Sequence, residues 1–217
     1  MSKDRIRAAI LISGSGSNLQ SFIDRVERGE LDLEIAVVIS NREGAFGLQR
    51  ADAAGIPGIT IVHNQFANRE DFDAAVAAEL VAYSVDLIIL AGFMRILSTR
   101  FVHQFAGRIV NIHPALLPAY PGLDTHQRVL DAGDQWHGST VHFVTEELDG
   151  GPLIMQGRLK VRPGESATDL AARVQAIEHQ IYPECAALLA AGRLHFENDA
   201  AYLDGTRLER PLVRDYP

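Results

Sequence analysis

An amide and an imidazole stand two residues apart near the middle of the chain. Asn111 and His113 belong to the run RIVNIH, whose apolar residues predict a short strand. Side chains two positions apart leave the same face of a strand, so we expect both at its carboxyl end. An acyl-transfer site needs such a pair to stabilise an oxyanion and to move protons. A His that makes only a structural hydrogen bond is the alternative.

Asp149, in the run LDGG, is the acid that would partner this imidazole. A carboxylate beside an imidazole favours the protonated ring. The glycines at 150 and 151 let the backbone approach closely. An Asp before two glycines is also common as a plain turn residue, so both interpretations stay open at this point.

A glycine-rich segment, Gly14–Asn18, follows the first predicted strand and leads into a helix. Backbone N–H groups and hydroxyls at a helix N-terminus favour a phosphate. A dinucleotide site is excluded, because Leu19 replaces the third fingerprint glycine and the second strand ends in Asn41 and Arg42 instead of an acid. A monophosphate site and a tight turn without a ligand both remain.

The segment 94–97 places apolar side chains around Arg95 after the fourth predicted strand. This suits a flat ring with a carboxylate tail, although an ordinary buried loop would look the same. Among the other histidines, His142 lies on a predicted strand and is expected near the same cleft. The rest are expected at the surface or as caps, and no zinc spacing occurs, so no metal is predicted. They are His63, His103, His126, His137, His179 and His195.

Alternating predicted strands and helices would position the candidate site residues. Short Ile/Val/Leu runs alternate with amphipathic stretches up to residue 93, which predicts β-α-β-α-β-α-β and a doubly wound, mostly parallel Rossmann-like sheet of the α/β class. Such sheets bind ligands at the carboxyl ends of their strands. Ser17, Asn68 and Ser98 are the expected helix N-caps.

The second half changes character. Residues 114–124 hold three prolines in eight positions and predict a rigid loop, in which one X-Pro bond is a candidate for cis. We expect a short helix near 125–132, then a hairpin that turns at Asp149 and extends the sheet, then a long helix from Ser166 to Ala191. Residues 1–217 are expected to form one domain.

Composition excludes several classes of protein. The 217 residues are 47% hydrophobic and carry a net charge of −8, which disfavours a nucleic-acid partner. No apolar run is long enough to span a membrane or to serve as a signal peptide. The single Cys185 forms no internal disulfide, which fits a reducing cytoplasm.

Four motifs together resemble the folate-dependent phosphoribosylglycinamide formyltransferase family. They are ILISGSGSNLQ, LAGFMRILS, NIHPALLPAYPGLDTH and HGSTVHFVTEELDGGPLI, in this order along the chain. The resemblance covers essentially the whole chain. It departs from the family at Ala115, where Ser is frequent, and at Asp124, where members vary.

The resemblance implies a formyltransferase fold and formyl transfer from 10-formyltetrahydrofolate, as co-substrate, to the glycine amine of 5-phosphoribosylglycinamide in purine synthesis. It implies a catalytic trio of Asn111, His113 and Asp149. It also implies substrate contacts from Gly16, Ser17, Asn18 and Glu178, and folate contacts from Arg69, Met94, Arg95, Ile96 and Leu97. The expected partners are these small molecules, without nucleic acid or membrane, and the chain is expected to be a monomer or homodimer.

Direct attack by the substrate amine is the expected mechanism, because no Ser or Cys in the motifs stands beside a base. The alternative enzyme is a formyltetrahydrofolate hydrolase of the same fold, which would use water instead of the amine. A nonenzymatic sensor of a phosphate ligand is the alternative outside enzymes. Related transferases and deformylases with an additional domain are longer than this chain.

Overall fold

The computed structural model describes residues 5–217. The chain divides after Val110 into two compact units, each of which combines strands with helices. The organisation of 1–217 as a single domain stays a prediction.

The first unit repeats strand and helix. Its elements are β1 (Ile6–Ile12), α1 (Ser17–Glu27), β2 (Leu33–Ser40), α2 (Phe46–Ala53), β3 (Gly58–Thr60), a 3-10 turn (His63–Gln65), α3 (Arg69–Ala82), β4 (Leu87–Leu90) and α4 (Thr99–Gln104). The strands lie in the order β4-β1-β2-β3 and are all parallel. The predicted alternation and its parallel sheet are thereby confirmed. Both faces are buried along residues 8–12 of β1 and 35–40 of β2, and these stretches are apolar except for Ser40.

Two of the three helix N-caps predicted for this unit are present in the structure. The side chains of Asn68 and Ser98 accept N–H groups from the first turns of α3 and α4, as predicted. Ser17 was wrongly expected to cap α1. Gly16 is the N-cap there, with φ +67°, because its backbone approaches Gly47 so closely that a Cβ would lie 2.6 Å from the Gly47 Cα.

The second unit is built around a mixed sheet. Its elements are the last part of β5 (Ile109–His113), α5 (Thr125–Ala132), β6 (Trp136–Phe143), β7 (Leu153–Lys160), α6 (Ala167–Ala190), β8 (Leu194–Glu197), β9 (Ala200–Leu203), β10 (Thr206–Arg207) and β11 (Leu212–Asp215). The order is β11-β7-β6-β5, with β6 and β7 antiparallel and β11 parallel to β7. This confirms the predicted hairpin. Strands β8, β9 and β10 form a small antiparallel sheet.

Helix α6 covers this sheet and carries one of the candidate site residues. It begins after Ser166, whose side chain caps its first turn, and runs through Pro183. The contact with β7 is tight, since a Cβ on Gly157 would lie 2.2 Å from Ile177 Cγ2. The proline-rich segment 114–124 joins β5 to α5, and its Leu117–Pro118 bond is cis.

Candidate active site

The strand β5 and the turn after β6 bring His113 and Asp149 together. His113 Nδ1 lies 3.4 Å from Asp149 Oδ2, and the two side chains are only 7% and 8% exposed. The predicted partnership of this acid and this ring is therefore present in the second unit. Little water screens the interaction of two side chains that are buried at this distance.

The other nitrogen of the same ring faces a backbone carbonyl. His113 Nε2 donates to the Tyr120 carbonyl at 2.9 Å, so this nitrogen carries a proton. With a carboxylate opposite Nδ1 and a carbonyl opposite Nε2, both ring nitrogens face acceptors. Both ring nitrogens are thus oriented by groups of the protein, which holds the ring in one position.

Asn111 is oriented by a second histidine. Its Nδ2 lies 3.2 Å from His142 Nε2, and His142 Nδ1 donates to the Phe143 carbonyl at 2.9 Å. Nε2 is therefore the acceptor of the neutral ring, and the Asn111 amide directs its NH₂ group toward it. Burial lowers the pKa of His142, which favours this neutral form.

These contacts join four side chains into one cluster, since His142 Nε2 also lies 3.9 Å from Asp149 Oδ1. Asn111 and His142 thus lie beside the His113 and Asp149 pair. The expectation that His142 lies near the same cleft is consistent with this geometry. The amide retains a second N–H, which is free to serve as an oxyanion donor.

The turn at Asp149 is held by its backbone conformation and by one hydrogen bond. Its φ is +53°, in the left-handed region that non-glycine residues rarely adopt. Its carboxylate also accepts the Gly122 N–H at 2.9 Å, which ties the turn after β6 to the proline-rich segment.

Glu178 lies on α6 near the backbone of the same strand. Ser139 Oγ lies 2.8 Å from the His113 carbonyl and 3.0 Å from Glu178 Oε1. Both partners are acceptors, so the single hydroxyl proton serves one of them at a time. Glu178 is buried, with 8% of the residue exposed. Neither Ser139 nor the Tyr120 carbonyl was predicted, and no sequence pattern marks them.

One histidine prediction was wrong. His137 was expected at the surface or as a cap, but it is 1% exposed and its Nε2 lies 2.9 Å from His126 Nδ1. Burial, together with the nearby rings of His126 and His113, lowers its pKa to about 4. Both faces of β6 are covered, since every residue from 137 to 143 is buried, so a side chain at any of these positions is removed from solvent.

The glycine-rich segment of the first unit has the geometry of an anion site. Gly16 in the left-handed conformation turns the chain from β1 into α1, whose first N–H groups have no intrahelical acceptors. Arg50 Nε donates to the Ser15 carbonyl at 2.9 Å and places a cation beside this turn. Gly16, Ser17 and Asn18 are thus where an anion is favoured, and Arg50 was not predicted.

The segment 94–97 also belongs to the first unit. Met94 and Ile96 are 60% and 53% exposed, whereas Leu97 is buried. The Arg95 guanidinium lies over the Phe72 ring at 4.6 Å, and its buried Nε has no hydrogen-bond partner among residues 5–217. Arg69 is exposed at the start of α3. Exposed apolar side chains beside a cation fit a ring with an acidic tail.

Cys185 is buried in α6, and burial raises the pKa of its thiol far above the ordinary value. A thiol in this state is a poor nucleophile. No group of three or more His, Cys, Asp or Glu side chains within 5–217 is arranged to hold a metal ion. Over the same range, no helix has the length and apolar character needed to cross a membrane.

The class of the protein follows from comparison with known proteins. The family model described as "Formyl transferase" matches residues 6–186. The chain belongs to this family, and its mostly parallel α/β architecture with an added hairpin is that of the formyltransferase fold.

Individual relatives within this family have more specific names. The chain is 50% identical to the phosphoribosylglycinamide formyltransferase of Escherichia coli K12 over 92% of this chain and 94% of that protein. A solved structure of the phosphoribosylglycinamide formyltransferase of Coxiella burnetii matches with a TM-score of 0.92 and 46% identity, covering 96% of this chain and all of that one. The human trifunctional purine biosynthetic protein adenosine-3 is 43% identical over 88% of this chain, which spans 19% of that protein.

Proposed function

We propose that this protein transfers the formyl group of 10-formyltetrahydrofolate to the glycine amine of 5-phosphoribosylglycinamide, a step of purine biosynthesis. The family match supports formyl transfer, and two relatives with this substrate in their names match over most of the chain. The observation that carries the chemistry is the buried pair of His113 and Asp149 beside the Asn111 amide.

In this proposal the substrate amine attacks the formyl carbon, and the carbonyl oxygen becomes an oxyanion. Asn111 Nδ2 and the protonated ring of His113 stabilise that charge. The new bond joins the amine nitrogen to the formyl carbon, and the bond from that carbon to the folate nitrogen breaks. Asp149 keeps His113 protonated and helps a proton pass from the amine to the departing folate nitrogen. The buried Cys185 supports direct transfer without a covalent enzyme intermediate.

The binding roles are divided among other residues. Gly16, Ser17 and Asn18 would hold the ribose phosphate at the N-terminus of α1, where the helix dipole favours an anion. Glu178 would accept a polar N–H or ammonium group of the glycinamide.

The folate would be held by the first-unit residues that the resemblance indicates. Apolar side chains of 94–97 would cover its ring, while the cations of Arg95 and Arg69 would face its acidic tail.

Folate release, followed spectrophotometrically with and without added phosphoribosylglycinamide, tests this function. We expect release only when the glycinamide is present, with one formylated product formed per folate released. Equal release without the glycinamide, together with free formate, would instead establish the hydrolase. Ligand binding without any turnover would establish the sensor.

The proposal includes a cytoplasmic location, where both substrates would be made and used, and small molecules as the only partners needed for turnover. It also includes either a monomer or a homodimer. Fractionation of the host cell and sedimentation of the purified protein test these two points.

A further inference from the structure

One short turn contacts two of the three candidate catalytic side chains of the second unit, His113 and Asp149. The Tyr120 carbonyl accepts His113 Nε2–H at 2.9 Å, and the Gly122 N–H donates to Asp149 Oδ2 at 2.9 Å. That carboxylate oxygen is the same one that lies 3.4 Å from His113 Nδ1. The position of the turn 120–122 therefore fixes how the ring and the acid face each other.

Two residues of this turn adopt left-handed backbone conformations. Tyr120 has φ +56° and Gly122 has φ +80°. Glycine adopts the left-handed region freely, but a tyrosine there is strained and needs contacts from its surroundings.

Two exposed side chains next to the turn supply such contacts. The Tyr120 hydroxyl donates to Asp134 Oδ2 at 2.6 Å, directly after α5. The Arg128 guanidinium lies 5.3 Å from the Tyr120 ring centroid and donates to the carbonyls of Pro121 at 2.6 Å and Leu123 at 3.2 Å. The turn 120–122 is thus hydrogen-bonded to Arg128 of α5 and to Asp134 after it. It is also hydrogen-bonded to His113 and Asp149.

The hydroxyl of Tyr120 stays a donor throughout the neutral range. Its hydrogen bond to Asp134 raises the pKa of the phenol above its ordinary value, because the carboxylate opposes a phenolate.

We propose that Asp134 and Arg128 are positioning residues for formyl transfer. They hold the turn 120–122, and through the Tyr120 carbonyl and the Gly122 N–H they hold His113 and Asp149 in the reactive arrangement. Neither contacts His113 or Asp149 directly in this structure, so both act through the turn. This inference rests on the proposed function, since it assigns importance to the orientation of His113.

Steady-state kinetics of Tyr120→Phe, Asp134→Ala and Arg128→Met test it, with Asp131→Ala as the control on α5. Asp131 is an exposed acid whose partner is the neighbouring Gln127, so its loss removes charge without touching the turn. We expect kcat to fall roughly tenfold in the three variants while the KM values stay within about twofold, the pattern of a positioning defect. The control should match the wild type.

Two further variants distinguish loss of the Tyr120–Asp134 hydrogen bond from a general loss of structure. Asp134→Asn keeps an acceptor for the Tyr120 hydroxyl and should retain most of kcat. The double variant of Tyr120→Phe and Asp134→Ala should be no slower than the slower single variant, because the two changes remove one shared contact.

A readout without turnover completes the experiment. In protein with ¹⁵N-labelled histidine, the His113 Nε2 proton should exchange with solvent faster in Tyr120→Phe than in the wild type. Unchanged kcat and unchanged proton exchange in Tyr120→Phe and Asp134→Ala would overturn the inference. Failure of the proposed function would appear differently, as a wild-type protein without formyl transfer whose His113 signal still responds to these substitutions.

Discussion

Replacing Asp149 by Asn examines the central pair directly. The amide is nearly the same size, and its oxygen can still accept the Gly122 N–H that the carboxylate accepts at 2.9 Å. What is lost is the negative charge 3.4 Å from His113 Nδ1. The substitution therefore changes the electrostatics of His113 while leaving the turn contact available.

The expected size of the effect follows from this distance. Unit charges 3.4 Å apart attract by about 5 kcal/mol at an effective dielectric constant of 20. Part of that attraction offsets the cost of burying the two charges, so we take about half as the loss in transition-state stabilisation. A loss of about 2.5 kcal/mol lowers kcat roughly 70-fold. The KM for the phosphate-bearing substrate should change little, since the proposed phosphate contacts lie on α1.

The assay is steady-state formyl transfer over a range of pH, with Glu147→Gln as the control. Glu147 is an exposed acid in the same turn, so this change removes one charge without altering the pair. Turnover within threefold of the wild type at neutral pH would refute the role given to Asp149.

Three other predictions concern different parts of the chain. His137 has its pKa lowered by burial to about 4, below the ordinary value of the unfolded chain, so the unfolded state binds more protons between the two values. The free energy of unfolding should therefore fall by about 3 kcal/mol from pH 7 to pH 4, and urea titration of His137→Gln should lack this part of the loss, unlike the exposed control His195→Gln. Gly16→Ala should raise the KM for the phosphate-bearing substrate more than about tenfold, because its φ is +67° and a Cβ would meet Gly47; an unchanged KM would remove this turn from the site. Cys185→Ala should keep kcat within about twofold and lower the unfolding free energy by roughly 1 kcal/mol; complete loss of turnover in a folded variant would contradict direct transfer.

Local sequence patterns were sufficient for much of the fold. The apolar runs of β1 and β2 and the caps at Asn68 and Ser98 depend on residues close together in the chain, so they could be predicted. The predicted cap at Ser17 was wrong, since Gly16 is the N-cap. Residue 16 lies so close to Gly47, which is distant in sequence, that there is no room for a Cβ. The short strands β8 to β11 have too few residues for a periodic pattern and were not predicted.

The sequence by itself determined which side chains are available for chemistry and which strand ends present them. Asn111 and His113 share a strand face because side chains alternate along any strand, and this holds whatever surrounds them. Their resemblance to a known family likewise depends only on residue order and spacing.

Only the tertiary structure decided the hydrogen-bond partners and the orientation of those side chains. The carbonyl of Tyr120, the carboxylate of Asp149 and the ring of His142 each reach the site from a different point in the sequence. Hydrogen-bond partners act through space over about 3 Å, so no local pattern specifies them. For the same reason His137 became a buried neutral group: its burial depends on the elements that cover β6 and not on its neighbours in the chain.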